Sequence, residues 1–344
     1  MRILKYIAIA LVSVMTLVVA GAGALVWWGS VWLETPAALT ETRTVMLPRG
    51  TGVIGIARRL ADAGAIDQPL AFRAAVTLMD VQAGLKAGEY RIEPGQSPSD
   101  IIDMLVEGRV VLHRLTVAEG ITLRSAWTMV AEDDRLSGEM PPLDSLAEGG
   151  LMPETYTFTR GDSRAGVIER MKAAMDRALD EAWAARRPDL PLSSPEEMLI
   201  LASVVERETG VADERPLVAG VFINRLKRGM RLQSDPTVIY GLSDGTGRIT
   251  RGITRSDLGT AHDWNTYEID GLPATPIALP GRASLMAVAQ PAETDALYFV
   301  ADGTGGHVFA TTLAEHNRNV AKWRRIERER RAAARAAATG SKQD

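Results

Sequence analysis

The 344-residue sequence contains no cysteine, which excludes disulfide bonds, thiolate nucleophiles and cysteine-ligated metal sites. Its four histidines never form the His-Glu-x-x-His pattern of a zinc hydrolase, so we expect no metal centre and no cofactor. The 39 basic and 43 acidic residues give a net charge of −4, which lacks the basic field that nucleic-acid binding requires. With 46% hydrophobic and 24% charged residues, the composition is that of a folded protein and not of a disordered or polytopic membrane chain.

One long uncharged run, Tyr6 to Trp28, stands near the N-terminus. At about 1.5 Å per residue, a helix of this length crosses the roughly 30 Å hydrocarbon core of a membrane. Arg2 and Lys5 precede the run, which favours a cytoplasmic N-terminus. A cleaved signal peptide, with small residues at Ala22–Ala24, is the alternative, but the run exceeds the usual apolar region of about 7–15 residues. We therefore predict an uncleaved single-pass anchor, with the chain after residue 33 in an extracytoplasmic space.

The remaining pattern of short strands, helices and loops predicts an α+β protein. A boundary is marked where Ser194 is placed to cap a helix that begins with Pro195. The predicted segments are the N-terminus and anchor 1–33, a linker 34–43, a small α/β module 44–118, a helical linking region 119–193, a larger mixed domain 194–331 and a basic tail 332–344, which we expect to be disordered.

A glycine pattern at Gly50–Gly55 matches the Gly-x-Gly-x-x-Gly fingerprint of dinucleotide-binding proteins. The long parallel series of strands and helices that such a site needs does not follow it, and an extracytoplasmic space lacks the cofactor. A glycine-rich turn that leads into a helix is therefore the favoured interpretation.

Two carboxylates interrupt the apolar helix predicted over Met198–Thr209. At about 100° per residue, Glu208 lies on the apolar stripe that includes Leu201 and Val205. Glu206 points roughly to the opposite side, so the two do not share a site. Burial and the negative end of the helix dipole both raise the pKa of a carboxyl group, and we expect this for Glu208. A glutamic acid that stays protonated near neutral pH is what the cleavage of a glycosidic bond requires.

A purely structural role for Glu208 is the competing interpretation, in which it pairs with Arg207, Arg215 or Arg225. Periodicity alone does not decide between the acid and the ion pair.

Two polar clusters follow this helix, and their amides, hydroxyls and aromatic rings suit the binding of a sugar chain. The candidate glycan-binding residues are Gln233, Asp235, Thr237, Tyr240, Asn265 and Tyr267. Ordinary turn chemistry around Asp235-Pro236 and Asn265 explains the same residues equally well.

Several motifs together resemble the bacterial endolytic murein transglycosylase family, MltG or YceG-like. They are Leu201–Thr209, Val221–Leu226, Leu232–Gly241, Asn265–Tyr267, Gly271–Pro273 and Tyr298–Gly303, with Leu85–Tyr90 and Leu151–Tyr156 in the preceding part. The resemblance covers nearly the whole chain. It implies that the module 44–118 is LysM-like and that 194–331 is the catalytic domain.

The resemblance further implies a periplasmic enzyme, anchored in the inner membrane, that cleaves nascent peptidoglycan strands between N-acetylmuramic acid and N-acetylglucosamine. The product carries an anhydro-muramyl end, and peptidoglycan synthases are implied as partners. The family's catalytic glutamate maps onto Glu208, which agrees with the helical periodicity. A non-catalytic peptidoglycan-binding scaffold and a hydrolytic muramidase with a second carboxylate remain as alternatives.

Overall fold

A computed structural model of the protein describes residues 2–340 and divides into two units. Unit 1 comprises the chain as far as His113 together with Thr157–Asp162. Unit 2 comprises Arg114–Tyr156 and the chain from Ser163 onward.

Unit 1 contains four helices and an antiparallel pair of strands. Its elements are α1 (Arg2–Glu34), β1 (Arg43–Leu47), α2 (Val53–Asp62), α3 (Pro69–Leu78), β2 (Gly88–Ile92) and α4 (Pro98–Glu107). Val45 of β1 stands opposite Tyr90 of β2, and both side chains are buried. Phe72 and Leu105, also buried, belong to the same core. Because β1 and β2 pair antiparallel, this unit cannot be the parallel nucleotide-binding fold. Gly50 lies in a turn, Gly52 precedes α2 as its N-cap, and Gly55 lies within the helix.

Helix α1 is the one described helix that is long and apolar enough to cross a membrane. Its last turns belong to unit 1, because Trp32 lies in that unit's core and donates a hydrogen bond from Nε1 to Asp67 Oδ1 at 2.7 Å.

Unit 2 is mostly helical, with short strands. Its elements are β3 (His113–Thr116, entering from unit 1), α5 (Leu123–Glu132), β4 (Thr155–Phe158), α6 (Arg164–Ala184), α7 (Pro195–Glu208), α8 (Arg215–Lys227), α9 (Asp235–Leu242), α10 (Arg255–Leu258), α11 (Arg282–Ala289), β5 (Tyr298–Ala301), β6 (His307–Ala310) and α12 (Leu313–Gly340). β3 pairs with β4, and β5 pairs antiparallel with β6.

Helix α7 is the centre of this unit, because the apolar residues on all of its sides are buried. It starts as the sequence predicts: the Ser194 hydroxyl accepts a hydrogen bond from the Glu197 amide, and Pro195 occupies the first turn. Met175 and Ala178 of α6 share its core. The sequence predicts 119–193 as a separate linking region. In the structure, most of this region lies in the same unit as 194–331.

The chain end differs from its prediction. The tail 332–344 was expected to be disordered, but α12 continues to Gly340, and residues 341–344 lie outside the described part. A run rich in alanine and arginine has high helix propensity, which favours extension of the helix that Leu313 begins.

Candidate active site

Glu208 is the last residue of α7 and lines a cleft of about 520 Å³. One carboxyl oxygen, Oε1, accepts a short hydrogen bond from the hydroxyl of Ser234, which precedes α9. The other oxygen accepts no hydrogen bond from the residues that the structure describes. The carboxyl group is thus held by one oxygen and has the other available to a ligand.

Burial raises the pKa of Glu208 from 4.5 to about 7, as the apolar surroundings in the sequence predict. The hydrogen bond from Ser234 opposes this effect because it stabilises the carboxylate, whereas the negative charge of Asp235 adds to it. His307 and Arg225 lower the pKa slightly through their positive charge. The result is an acid that holds its proton close to neutral pH and can still release it, as a group that alternates between acid and base must do.

Three more of the predicted residues share this cleft: Gln233, Asp235 and Tyr267. The Tyr267 hydroxyl donates to Asp235 Oδ1 at 2.6 Å, which fixes the ring beside the carboxylate. Gln233 has a left-handed backbone conformation, with φ of 51°, and its backbone N–H donates to the Thr266 carbonyl. This unusual conformation turns the chain into α9 directly beside Glu208.

Thr237 and Asn265, also predicted to bind glycan, are buried instead and hold the loops together. The Thr237 hydroxyl donates to the Ser234 carbonyl at 2.7 Å. Asn265 donates through Nδ2 to the carbonyls of Leu258 and Thr260. Neither side chain lines the cleft, so the turn-chemistry alternative describes them better.

Tyr240, the remaining predicted glycan-binding residue, does not line the cleft. Its hydroxyl donates to Glu148 Oε2 at 3.1 Å, and its ring meets Trp264 edge to face. Glu148 also accepts hydrogen bonds from the Leu123 and Gly149 amides, yet burial raises its pKa to about 7. Sequence reasoning missed this second half-buried acid, because an isolated glutamate in a loop carries no periodic signal.

The alternative of a glutamate–arginine ion pair applies to Glu206, not to Glu208. Glu206 Oε2 accepts hydrogen bonds from the Gly281 amide at 3.0 Å and the Ser284 hydroxyl at 2.7 Å, and Oε1 lies 3.5 Å from Arg215. Its side chain is 5% exposed. Within the described residues, Glu208 forms no salt bridge.

Arg225, another arginine considered as a partner, is buried and organises two walls of the cleft. It donates to the Leu232 carbonyl at 2.7 Å, just before the Gln233 turn, and to the Leu297 carbonyl at 2.7 Å, just before β5. Burial lowers the pKa of its guanidinium group. Its role is to join these segments, with its charge acting on Glu208 only at a distance.

Helix α12 supplies a wall of the cleft that the sequence did not indicate. Its lining residues, spaced three or four apart, are Leu313, His316, Val320 and Arg324. The His316 ring stacks on Tyr298, with 5.2 Å between ring centres, and Nδ1 is buried without a hydrogen-bond partner among the described residues. The stripe is visible in the sequence, but nothing there says which surface it meets.

Thr209, which follows Glu208 in the chain, belongs to a hydrogen-bonded group with Glu214 and His307. His307 donates its backbone amide to Glu214 at 2.8 Å and its Nδ1 lies 2.7 Å from the same carboxylate. Although burial raises the pKa of Glu214, these hydrogen bonds lower it below its usual value. In the described part of the chain, no group of three or more histidine, aspartate or glutamate side chains is placed to hold a metal ion.

The chain is similar to known proteins in sequence and in fold. The chain is 29% identical over 311 residues to the endolytic murein transglycosylase of Bacillus subtilis (strain 168), covering 82% of this chain and 85% of that protein. It is 30% identical over 326 residues to the endolytic murein transglycosylase of Streptococcus pneumoniae (serotype 2, strain D39), covering 81% of this chain and 58% of that longer protein.

A solved structure is also similar, that of a YceG-like protein from Listeria monocytogenes. The TM-score is 0.50 at 30% identity, over 81% of this chain and 99% of that one. The sequence profile of the YceG-like family matches residues 45–322, which is most of the chain. The protein therefore belongs to the YceG-like family.

Proposed function

We propose that this protein is a lytic transglycosylase of peptidoglycan. In this proposal it cleaves the bond between N-acetylmuramic acid and N-acetylglucosamine and leaves an anhydro-muramyl end. The observation that carries the proposal is Glu208, a half-buried acid with a pKa of about 7 that opens onto a cleft. The similarity to proteins named endolytic murein transglycosylases supports the same reaction.

Glu208 acts first as an acid. Its proton moves to the glycosidic oxygen while the bond from that oxygen to the muramyl C1 breaks, and positive charge develops on the sugar ring. The substrate's own acetamido group helps to stabilise this cationic centre. Ser234 supports the step because its hydroxyl bonds to Oε1, so the carboxylate left behind is stabilised as it forms.

Glu208 acts second as a base. The carboxylate accepts the proton of the muramyl C6 hydroxyl while that oxygen attacks C1 and closes the anhydro ring. The proton is returned to Glu208, no water is consumed, and the enzyme is ready for another cycle. A pKa near 7 suits both steps, because the protonated and the ionised forms of Glu208 are both populated at neutral pH.

Gln233, Asp235 and Tyr267 are the residues that we expect to contact the glycan, since they line the same cleft as the acid. A hydrolytic muramidase would need a second carboxylate, and Asp235 lines the same cleft as Glu208. Its hydrogen bond from Tyr267 favours a binding role, because that bond occupies one of its oxygens. The two reactions differ in their products, which carry anhydro ends in one case and reducing ends in the other.

The remaining parts of the proposal concern location. Helix α1 would anchor the protein in the inner membrane with the N-terminus in the cytoplasm, and both units would lie in the periplasm. Unit 1 would act as a LysM-like module. This arrangement would bring the enzyme to nascent strands beside the synthases that extend them, where cleavage would end elongation.

The test is to incubate the purified full-length protein and its Glu208→Gln variant with peptidoglycan and identify the new chain ends by mass spectrometry. We expect anhydro-muramyl ends from the wild type and a roughly 10²- to 10⁴-fold slower reaction from the variant. Reducing ends would instead establish the muramidase. Equal cleavage by both proteins would reject Glu208 as the acid, and binding to sacculi without cleavage by either would establish the scaffold.

A further inference from the structure

Unit 1 carries an apolar surface that neither its core nor the proposed reaction explains. Leu70, Ala74 and Leu78 lie four residues apart on α3 and form its outer face. Leu70 is 74% exposed and Leu78 is 86% exposed, although both are large and apolar. On a small folded unit, a contiguous exposed surface of this kind marks an interaction site.

This outer face continues onto the end of α1. A groove of about 560 Å³ lies between α3 and residues 25–33 of α1, and only Ser30 and Gln68 among its lining residues are polar. The hydrogen bond from Trp32 to Asp67 ties the end of α1 to the start of α3. The apolar surface of the proposed membrane helix and the outer face of α3 therefore form one surface.

The length of α1 determines how far this surface lies from the membrane. Counting from Tyr6, about 20 residues span the hydrocarbon core, which ends near Trp27 and Trp28. Trp32 follows Trp28 by about 6 Å along the helix, and the polar headgroup layer of one leaflet is roughly 5–8 Å thick. Because Trp32 is part of the core of unit 1, that unit begins within the headgroup layer.

We infer that the outer face of α3 is seated in the leaflet that α1 enters on its extracytoplasmic side, with Leu70 and Leu78 among lipid acyl chains. This rests on the membrane anchoring in the proposed function. Arg73 lines a second depression on α3 with Ile54, Leu70 and Leu78, and its charge suits the phosphate of a lipid headgroup. We call this contact between the outer face of α3 and lipid the lipid seat. It would hold unit 1 at a set height and orientation at the membrane surface.

The absence of cysteine allows a direct test in the full-length protein. A single cysteine at Leu78→Cys would carry an environment-sensitive NBD label, with the protein reconstituted in vesicles of phosphatidylethanolamine and phosphatidylglycerol. Leu112→Cys is the matched control, since Leu112 is another leucine of unit 1, 65% exposed, that lines neither depression.

An interfacial helix buries its apolar face roughly 5–10 Å deep, so spin-labelled lipids should quench the label at 78 at least about twofold more than the label at 112. Aqueous iodide should show the opposite preference. Equal quenching by iodide at both positions would overturn the lipid seat. A blue-shifted label at 78 that spin-labelled lipids do not quench would also overturn it, because the face would then be covered by protein, either a second copy or another chain.

These outcomes are separate from those of the proposed function. Flotation with the vesicles reports the anchoring by α1, and the chain-end assay reports the reaction. A protein that floats and cleaves glycan but exposes position 78 to water would refute the lipid seat alone.

Discussion

The Ser234 hydroxyl donates a hydrogen bond to Glu208, which joins the start of α9 to the end of α7. Ser234 is itself held in place, because its backbone amide donates to the Thr266 hydroxyl at 2.9 Å and its carbonyl accepts from Thr237. Thr237 and Thr266 therefore hold the backbone of Ser234 so that its hydroxyl reaches the acid.

Substitution of Ser234 and of Asp235, two neighbours of Glu208, should shift the pH dependence of the reaction in opposite directions. The wild-type kcat/KM should fall as pH rises through about 7, because the acid loses its proton. Ser234→Ala removes a donor that lowers the pKa of Glu208, so the fall should move to higher pH. Asp235→Asn removes a negative charge that raises the pKa, so the fall should move to lower pH. Shifts in the same direction would show that this limb does not report Glu208.

The stability of the folded protein should depend on pH through the titration of Glu208. The pKa of Glu208 is raised in the folded state, so stability is lost as pH rises from about 4.5 to about 7. Glu208→Gln removes this cost and should stabilise the protein by up to about 3 kcal/mol above pH 7, with no gain below pH 4. Thermal unfolding at both pH values checks the prediction, and an equal gain at both would contradict it.

A glutamate-to-glutamine substitution at Glu206 should lower the stability of the fold and leave the cleavage reaction unchanged. Glu206→Gln weakens the contacts to Gly281, Ser284 and Arg215, and we expect a loss of about 1–3 kcal/mol in the free energy of unfolding. Urea unfolding measures this loss. Cleavage per folded molecule should stay close to wild type, and a loss as large as that of Glu208→Gln would mean that Glu206 takes part in the reaction.

Two tyrosines that look alike in the sequence should behave differently. Tyr240→Phe loses the hydrogen bond to Glu148 and should cost about 1 kcal/mol of stability while leaving kcat/KM unchanged. Tyr267→Phe loses the bond to Asp235 in the cleft and should lower kcat/KM by roughly 5- to 30-fold. Steady-state kinetics beside thermal unfolding separates the two effects, and a kinetic loss in Tyr240→Phe would place its hydroxyl at the substrate.

Adjacent arginines on α12 provide a test of the cleft wall. Arg324 lines the cleft, whereas Arg325 lies beside Glu329, with 3.9 Å between charged atoms. The peptide stems of peptidoglycan carry carboxylates, so Arg324→Ala should raise KM by about 3- to 10-fold through the loss of one charged contact. Arg325→Ala should change KM little, because an exposed ion pair contributes almost nothing. Equal effects of both variants would indicate a general charge effect and not a defined wall.

Much of the local structure could be predicted from the sequence. Helix α4 is an example, because a capping box at Ser97 starts it and a left-handed Gly108 ends it, and both are local signals. The roles of Thr237, Tyr240 and Asn265 could not be predicted, because the same side chain can bind a ligand or a backbone carbonyl. Which one it does depends on the loops that pack around it.

The sequence by itself determined that Glu208 and Glu206 lie on different faces of one apolar helix, because helical periodicity is a local property. It also determined the apolar helix α1 and the family, because both depend on residues along the chain. Only the tertiary structure decided which groups meet Glu208. Ser234 lies 26 residues away along the chain and α12 more than a hundred, and contacts over such separations depend on how the helices of unit 2 pack.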